Sequence, residues 1–386
     1  MKIRDYTYII LLFLIFGCND TEKTSYVGKI HIDANEQEVD RNYTNVIIDK
    51  KTKAKIKRRG GYSYKYPKFS FELDFENNIS LLNLPKDDDW ILNANYIDKT
   101  FLRHVISYEL FSEMNQNNVS PLTRYLELYF DNKYKGLYVL MQKLDKSTIM
   151  INSKDTTSFI FKEPNLFRKN YDIIKNSKLH NPDQQIHPKF DLSSKSFVIQ
   201  YLRSLFLHNK PLSESDFKLN FDLNNVLDWH LLLLITNNQD GILKNFFMYK
   251  VDEKTPIRFS PWDYDHSFGR DGDNELNIDE RHINLSRSIM FEKLIECYWY
   301  KIKLKEKWEY YNQINLLSKE GLRNRILKKS NSIRNAVIKN VETWPNDSRF
   351  FYDQNNFSQE VEVILEYINR RHEKLSNQFN KVSSKN

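Results

Sequence analysis

Two cysteines in 386 residues, Cys18 and Cys297, exclude both a disulfide framework and a four-ligand zinc site. Glycine is scarce as well, at 9 in the chain, so two adjacent glycines mark a place where the backbone needs freedom. The apolar run from Ile9 to Phe16 is too short to cross a bilayer as a stable helix. No nucleic-acid motif is present: the aromatics scatter through strand and helix patterns instead of forming a stacking platform between basic residues. Internal repeats and long low-complexity linkers are absent, which favours two tightly joined lobes over independent domains. What the chain does have is 40% hydrophobic and 28% charged residues, with 23 Tyr and 25 Phe, enough to bury a real core in a globular protein. The net charge of +7 is mild for this length, suits anionic ligands or membrane surfaces, and leaves the Lys50 to Arg59 tract reading as a solvated face.

The first residues read as an address. Lys2 and Arg4 precede the short apolar run, which ends in Gly17-Cys18. Ile15-Phe16-Gly17-Cys18 resembles the end of a bacterial lipoprotein signal. That resemblance implies cleavage of residues 1–17, lipid attachment to Cys18, and a polar tether over 18–27. The remainder, 28–380 with a short tail at 381–386, would then lie in the cell envelope, anchored through its lipid outside the cytoplasmic membrane.

Period-two patterns predict strands over Lys29 to Ile32 and Asn45 to Ile48, and another carrying Phe69, Phe71, Leu73 and Phe75 on one face. Between them, Gly60-Gly61 followed by Ser63 would let backbone N–H groups and a hydroxyl approach an anion, although a plain turn explains the pair equally well. A helix is expected from an N-cap at Asp98, with Glu109 near its buried face, where a carboxylate wants a cation. Arg124 to Phe130 and Gly136 to Leu140 read as a hairpin. Beyond Lys154 the pattern turns helical: Phe197, Tyr201, Leu202 and Leu205 share a face, Asp222 caps a helix through Val226, Trp229 and Leu233, and Gln359 to Phe379 is amphipathic. The fold class is therefore α+β, with an N-terminal antiparallel sheet plus helix over about 28–145 and a mainly helical lobe over about 146–380.

The stretch around which these elements are arranged is Asn238-Gln239-Asp240 with Asn245, followed after a predicted hairpin by Pro261-Trp262-Asp263-Tyr264-Asp265. Phosphoryl transfer needs one carboxylate to orient an attacking hydroxyl, and oxygen donors to hold a divalent metal against the phosphates. Asp240 suits the first task; Asn245 and Asp263, with Asp265 beside them, suit the second. Lys68 would neutralise the phosphates and Glu109 would position Lys68. A calcium loop beginning at Asp263 is disfavoured, because Gly269 and Asn274 occupy the wrong positions for it. His266 and His282 lack metal-ligand spacing, and Cys297 reads as a buried small residue.

Five ordered blocks carry a resemblance. Arg58-Arg59-Gly60-Gly61-Tyr62-Ser63 with Pro67-Lys68, the Trp90-to-Ala94 and Asp98-to-Arg103 stretch, Gly136-Leu137-Tyr138, Asn238-Gln239-Asp240 with Asn245, and Pro261-Trp262-Asp263-Tyr264-Asp265 resemble the CotH kinase family. The resemblance implies an atypical protein-kinase-like, two-lobed fold that binds ATP with Mg²⁺ or Mn²⁺ and phosphorylates serine on secreted or surface proteins. Asp240 then corresponds to the catalytic aspartate, Asp263 to the metal-binding aspartate and Lys68 to the nucleotide-binding lysine. The sequence departs from the pattern at Gln142, where the family usually has Glu, and at Gly60-Gly61-Tyr62-Ser63, which replaces Gly-Asn-Ser. Two other readings compete: a surface binding or scaffold lipoprotein that keeps the fold, and a kinase-fold transferase performing adenylylation or glutamylation.

Overall fold

The computed structural model describes residues 27–171, 184–188, 192–208, 210–272, 274–278, 281 and 283–382. Cys18, the signal and tether segments, and His282 lie outside the described residues. Seven strands form the N-terminal part: β1 (Val27–Asp33), β2 (Thr44–Ile48), β3 (Thr52–Arg59), β4 (Ser70–Ile79), β5 (Asp87–Asn93), β6 (Thr123–Phe130) and β7 (Lys133–Gln142). Their order is β1-β2-β3-β4-β5-β7-β6, and the set closes on itself. The expected antiparallel pairing holds at every joint but one, and the closure is what the expectation of a sheet lacked. The closing joint is parallel, with Val27 opposite Tyr125 and Ile32 opposite Phe130. Closure removes the two edges that an open sheet would leave unpaired.

Alternation explains the barrel's interior. Ile30 and Ile32, Val46 and Ile48, Phe71, Leu73 and Phe75, Trp90 and Leu92, and Leu126, Leu128 and Phe130 all point inward and are buried. The intervening Ile91, Tyr125, Leu137, Val139 and Met141 face the other way, into a second and larger core. Strands β5 and β7 are thus covered on both faces where they read as unbroken apolar runs, Trp90 to Leu92 and Leu137 to Met141.

That second core belongs to a helical body. Helix α1 (Arg103–Met114) packs on α4 (Leu223–Thr236) and on β11 (Arg258–Pro261). A four-stranded sheet, ordered β11-β10-β8-β9, adds β8 (Phe159–Lys162), β9 (Gln184–His187) and β10 (Phe246–Lys250). Around it lie α2 (Leu192–Leu207), α3 (Glu214–Lys218), α5 (Ile289–Glu296), α6 (Tyr298–Gln313), α7 (Lys319–Thr343) and α8 (Phe357–Asn380). Asp222 caps α4 by accepting from the Asn225 N–H at 3.2 Å, and Asn356 with Gln359 forms a capping box at α8. Helix α1 begins later than expected: Leu102 occupies its N-cap position, while Asp98 reaches over to accept the Arg103 N–H at 3.0 Å. Cys297 is buried between α5 and α6. Among the described residues, no helix is long and apolar enough to cross a membrane.

Candidate active site

Helix α4 ends in Asn237, whose left-handed conformation (φ 51°) turns the chain toward the barrel. Asn238 Oδ1 then accepts the Gly241 N–H at 2.8 Å, and the Asp240 carbonyl accepts from the N–H groups of Leu243 and Lys244. These bonds shape a tight turn that presents the Asp240 carboxylate outward, 2.9 Å from Lys244 Nζ. Asn245, again left-handed at φ 62°, starts the β10–β11 hairpin, in which Phe246 pairs with Pro261. The hairpin returns the chain so that the Asn245 carbonyl accepts the Trp262 N–H at 2.9 Å and Asn245 Nδ2 donates to the Asp263 carbonyl at 3.0 Å. Asn238 Nδ2 reaches the same carbonyl at 3.4 Å. Residues 18 positions apart are thereby fixed side by side.

Asp263 is itself left-handed, at φ 57°, a conformation that costs a non-glycine residue roughly 1–2 kcal/mol. Four hydrogen bonds hold it there. Besides the two asparagine amides on its carbonyl, its N–H donates to Tyr108 Oη at 3.0 Å and its Oδ1 lies 3.2 Å from His104 Nε2. Desolvation would raise the Asp263 carboxyl, but the hydrogen bond from His104 outweighs it and holds the pKa below the usual carboxylate range. Asp265 moves the other way, raised by burial and by the neighbouring Asp263 charge. The ligand atoms of His104, Asp263 and Asp265 all lie within 4.8 Å of one another, a spacing that suits one cation. Asn245 commits its Nδ2 to the backbone, so its oxygen is the atom left for a ligand. Carboxylate and amide oxygens are the donors that magnesium and manganese accept, so the residues present fit a divalent metal.

These groups face a polar cleft of about 720 Å³ between barrel and helical body. Gly60, Gly61, Ser63, Lys68, Asp240, Asn245, Asp263 and Asp265, every one expected from the sequence, line it. Gly60 takes φ 124°, which only glycine adopts freely, and lets the loop after β3 fold back over Ser63. Glu109 is the exception. Its carboxylate pairs with Lys329 Nζ at 2.6 Å and Arg325 at 3.5 Å, both on α7, and does not line the cleft. The expected Lys68–Glu109 pair is therefore corrected. Lys68 precedes β4 instead of lying within it, and its ammonium donates to the Ala94 carbonyl at 2.8 Å and to the Leu137 carbonyl. Burial lowers its pKa well below that of an ordinary lysine, and among the described residues no carboxylate lies within ion-pair distance of it.

Several cleft residues escaped the sequence reading. Arg59, at the end of β3, lies 4.0 Å from Glu72 and over the Trp262 ring, and it feels the charge of Asp263. Lys162 and Glu163 from the end of β8 also line the cleft. His104 and Tyr108, one helical turn apart on α1, contact Asp263 directly. Their four-residue spacing was visible, but nothing local in sequence says that this face of α1 meets a loop some 155 positions later. Gln142 turns away from the cleft to donate to Asp87 at 3.3 Å, while Met141 beside it lines the wall.

A barrel and a helical body, with a metal-competent acidic centre facing a glycine loop across the groove between them, define a kinase-like protein. The chain belongs to the CotH kinase protein family, whose model matches residues 56–375. It is 23% identical over 287 residues to the inner spore coat protein H of Bacillus subtilis (strain 168), covering 72% of this chain and 75% of that protein. A crystal structure of the Helicobacter pylori proinflammatory kinase CtkA aligns over 93% of this chain and 100% of that one, at 10% identity and a TM-score of 0.30, too loose a match to carry an argument.

Proposed function

We propose that this protein is an ATP-dependent, divalent-metal-requiring protein kinase that phosphorylates hydroxyl groups, serine foremost, on secreted or surface proteins. The observation that carries this reading is the convergence of Asp240, Asn245, Asp263 and Asp265 with the Gly60–Ser63 loop on one cleft. Asp263, Asp265 and the Asn245 oxygen would hold the cation, whose charge would offset that of the nucleotide phosphates. Asp240, which lines the same cleft with Lys244 2.9 Å from its carboxylate, would accept and orient an incoming hydroxyl. The phosphates would meet the N–H groups and hydroxyl of the glycine loop, with Arg59 as the nearby cation. Export and lipid attachment at Cys18 are part of the proposal and rest on the N-terminal sequence alone.

Purified protein incubated with γ-labelled ATP, Mg²⁺ or Mn²⁺ and a serine-containing acceptor should transfer label. Asp263→Ala should abolish that transfer, and undiminished labelling by the variant would end the assignment. Intact-mass measurement of the acceptor separates phosphorylation from adenylylation or glutamylation.

A further inference from the structure

Two of the four hydrogen bonds that hold Asp263 come from α1. Its backbone N–H donates to Tyr108 Oη at 3.0 Å, and among the described residues the side chain within hydrogen-bond distance of its carboxylate is His104, with Nε2 3.2 Å from Oδ1. The helix is in turn held down next door, where the buried Arg103 meets Asp98 at 2.5 Å, Glu360 at 3.2 Å and the Ser267 carbonyl at 2.9 Å. Ser267 lies on the loop that continues from Asp263 and Asp265, so α1 grips that loop at both ends.

His104 could serve such a centre in two ways: as a ligand through its lone pair, or as a donor that aims a carboxylate. The other ring nitrogen decides between them. Nδ1 is buried and has no protein partner. An imidazole that ligates through Nε2 must carry its proton on Nδ1, and ligating histidines donate that proton to an acceptor. Here the N–H would be buried and unsatisfied, at a cost of about 1–3 kcal/mol. With the proton on Nε2 the orphan is a lone pair, which also loses its water, but the N–H then gains a bond to Asp263 Oδ1.

We infer that His104 is a positioning residue of the metal centre: its Nε2–H fixes Asp263 Oδ1 and thereby turns the second carboxylate oxygen toward a divalent cation in the cleft. The inference rests on the proposed metal role of Asp263. It adds that the aim of this carboxylate is set by a helix and not by its own loop.

The test is direct binding of Mn²⁺ to the full chain, followed by loss of the free-ion electron paramagnetic resonance signal, with no turnover required. His104→Ala should weaken Mn²⁺ binding about 10–100-fold, the usual effect of losing an outer-shell partner. His104→Gln, which places an amide N–H near the position of Nε2, should recover most of the affinity. Spin-echo modulation of the bound Mn²⁺ should show no directly ligated nitrogen. Equal affinity in wild type and His104→Ala overturns the inference. So does a ligated-nitrogen signal that disappears in His104→Ala, which would make the ring a ligand. A Gln variant as weak as Ala, with both melting early in metal-free buffer, reduces His104 to packing and also overturns it. Failure of wild type to bind Mn²⁺ any better than Asp263→Ala would instead remove the metal reading of Asp263 on which the inference stands.

Discussion

Arg59 is one of the cations that line the cleft where the proposed function would seat a nucleotide phosphate. It closes β3 immediately before the glycine loop, lines the cleft, and has Glu72 at 4.0 Å, too far to bind it tightly. Glu72 is already satisfied by Lys143 at 2.8 Å and by the Tyr43 hydroxyl at 3.0 Å. Arg59→Ala should therefore lose a charge-assisted contact of about 1.5–3 kcal/mol and shrink the rise in melting temperature that ATP with Mg²⁺ produces. Glu109→Gln, by contrast, should leave that rise intact, because its carboxylate is engaged by Lys329 and Arg325. The sequence correctly marked Glu109 as a half-buried carboxylate in want of a cation. Helical spacing reports which face a residue occupies but not which distant helix will cover it, and the cation came from a lysine 220 positions away. The partners of Lys68 escaped for a similar reason. Its carbonyl partners belong to β7 and to the turn after β5, and only the closed barrel brings these together.

At the level of elements, local chemistry was a good guide wherever it sufficed. The hairpin that returns Asp263, the Asp222 cap and the amphipathic Gln359 to Phe379 helix needed only turn residues, a capping side chain and a period of 3.6. Barrel closure did not follow, since a parallel joint between β1 and β6 leaves no turn signature between them. Helix α8 also has a task that its pattern conceals. Glu360, in its first turn, is buried between Arg103 and Arg270, and Arg270 also meets Asp353 at 2.8 Å. This cluster ties α8 to α1 and to the loop that carries the acidic centre. Glu360→Gln would leave two buried guanidiniums short of a counter-charge and should destabilise the protein by about 3 kcal/mol or more, measured by urea unfolding. A change under about 0.5 kcal/mol would show that Asp98 and Asp353 alone suffice.

For the molecule as a whole, two cores meet along the wall formed by β5 and β7, and the larger one contains a titratable group that must stay neutral. His230 is fully buried, its Nδ1 2.9 Å from the Tyr300 hydroxyl, and burial holds its pKa down to about 3. An unfolded chain would protonate it near 6.5. Stability from this group is therefore complete above about pH 6.5 and is lost progressively as the pH falls toward 3, amounting to a few kcal/mol. Unfolding midpoints in urea at pH 7 and pH 5 should differ in the wild type, and the difference should narrow in His230→Phe.

The parallel joint of the barrel also imposes an order of events on synthesis. Strand β1 is made well before one of its two neighbours, β6, whose last residue, Phe130, follows far behind. Until Phe130 has emerged, the opening strand has only β2 at its side, and the glycine loop rests on a cylinder with a missing stave. A polypeptide interrupted before that point would hold Arg59, the glycine loop and Lys68 on an open sheet, without the closure that completes the barrel.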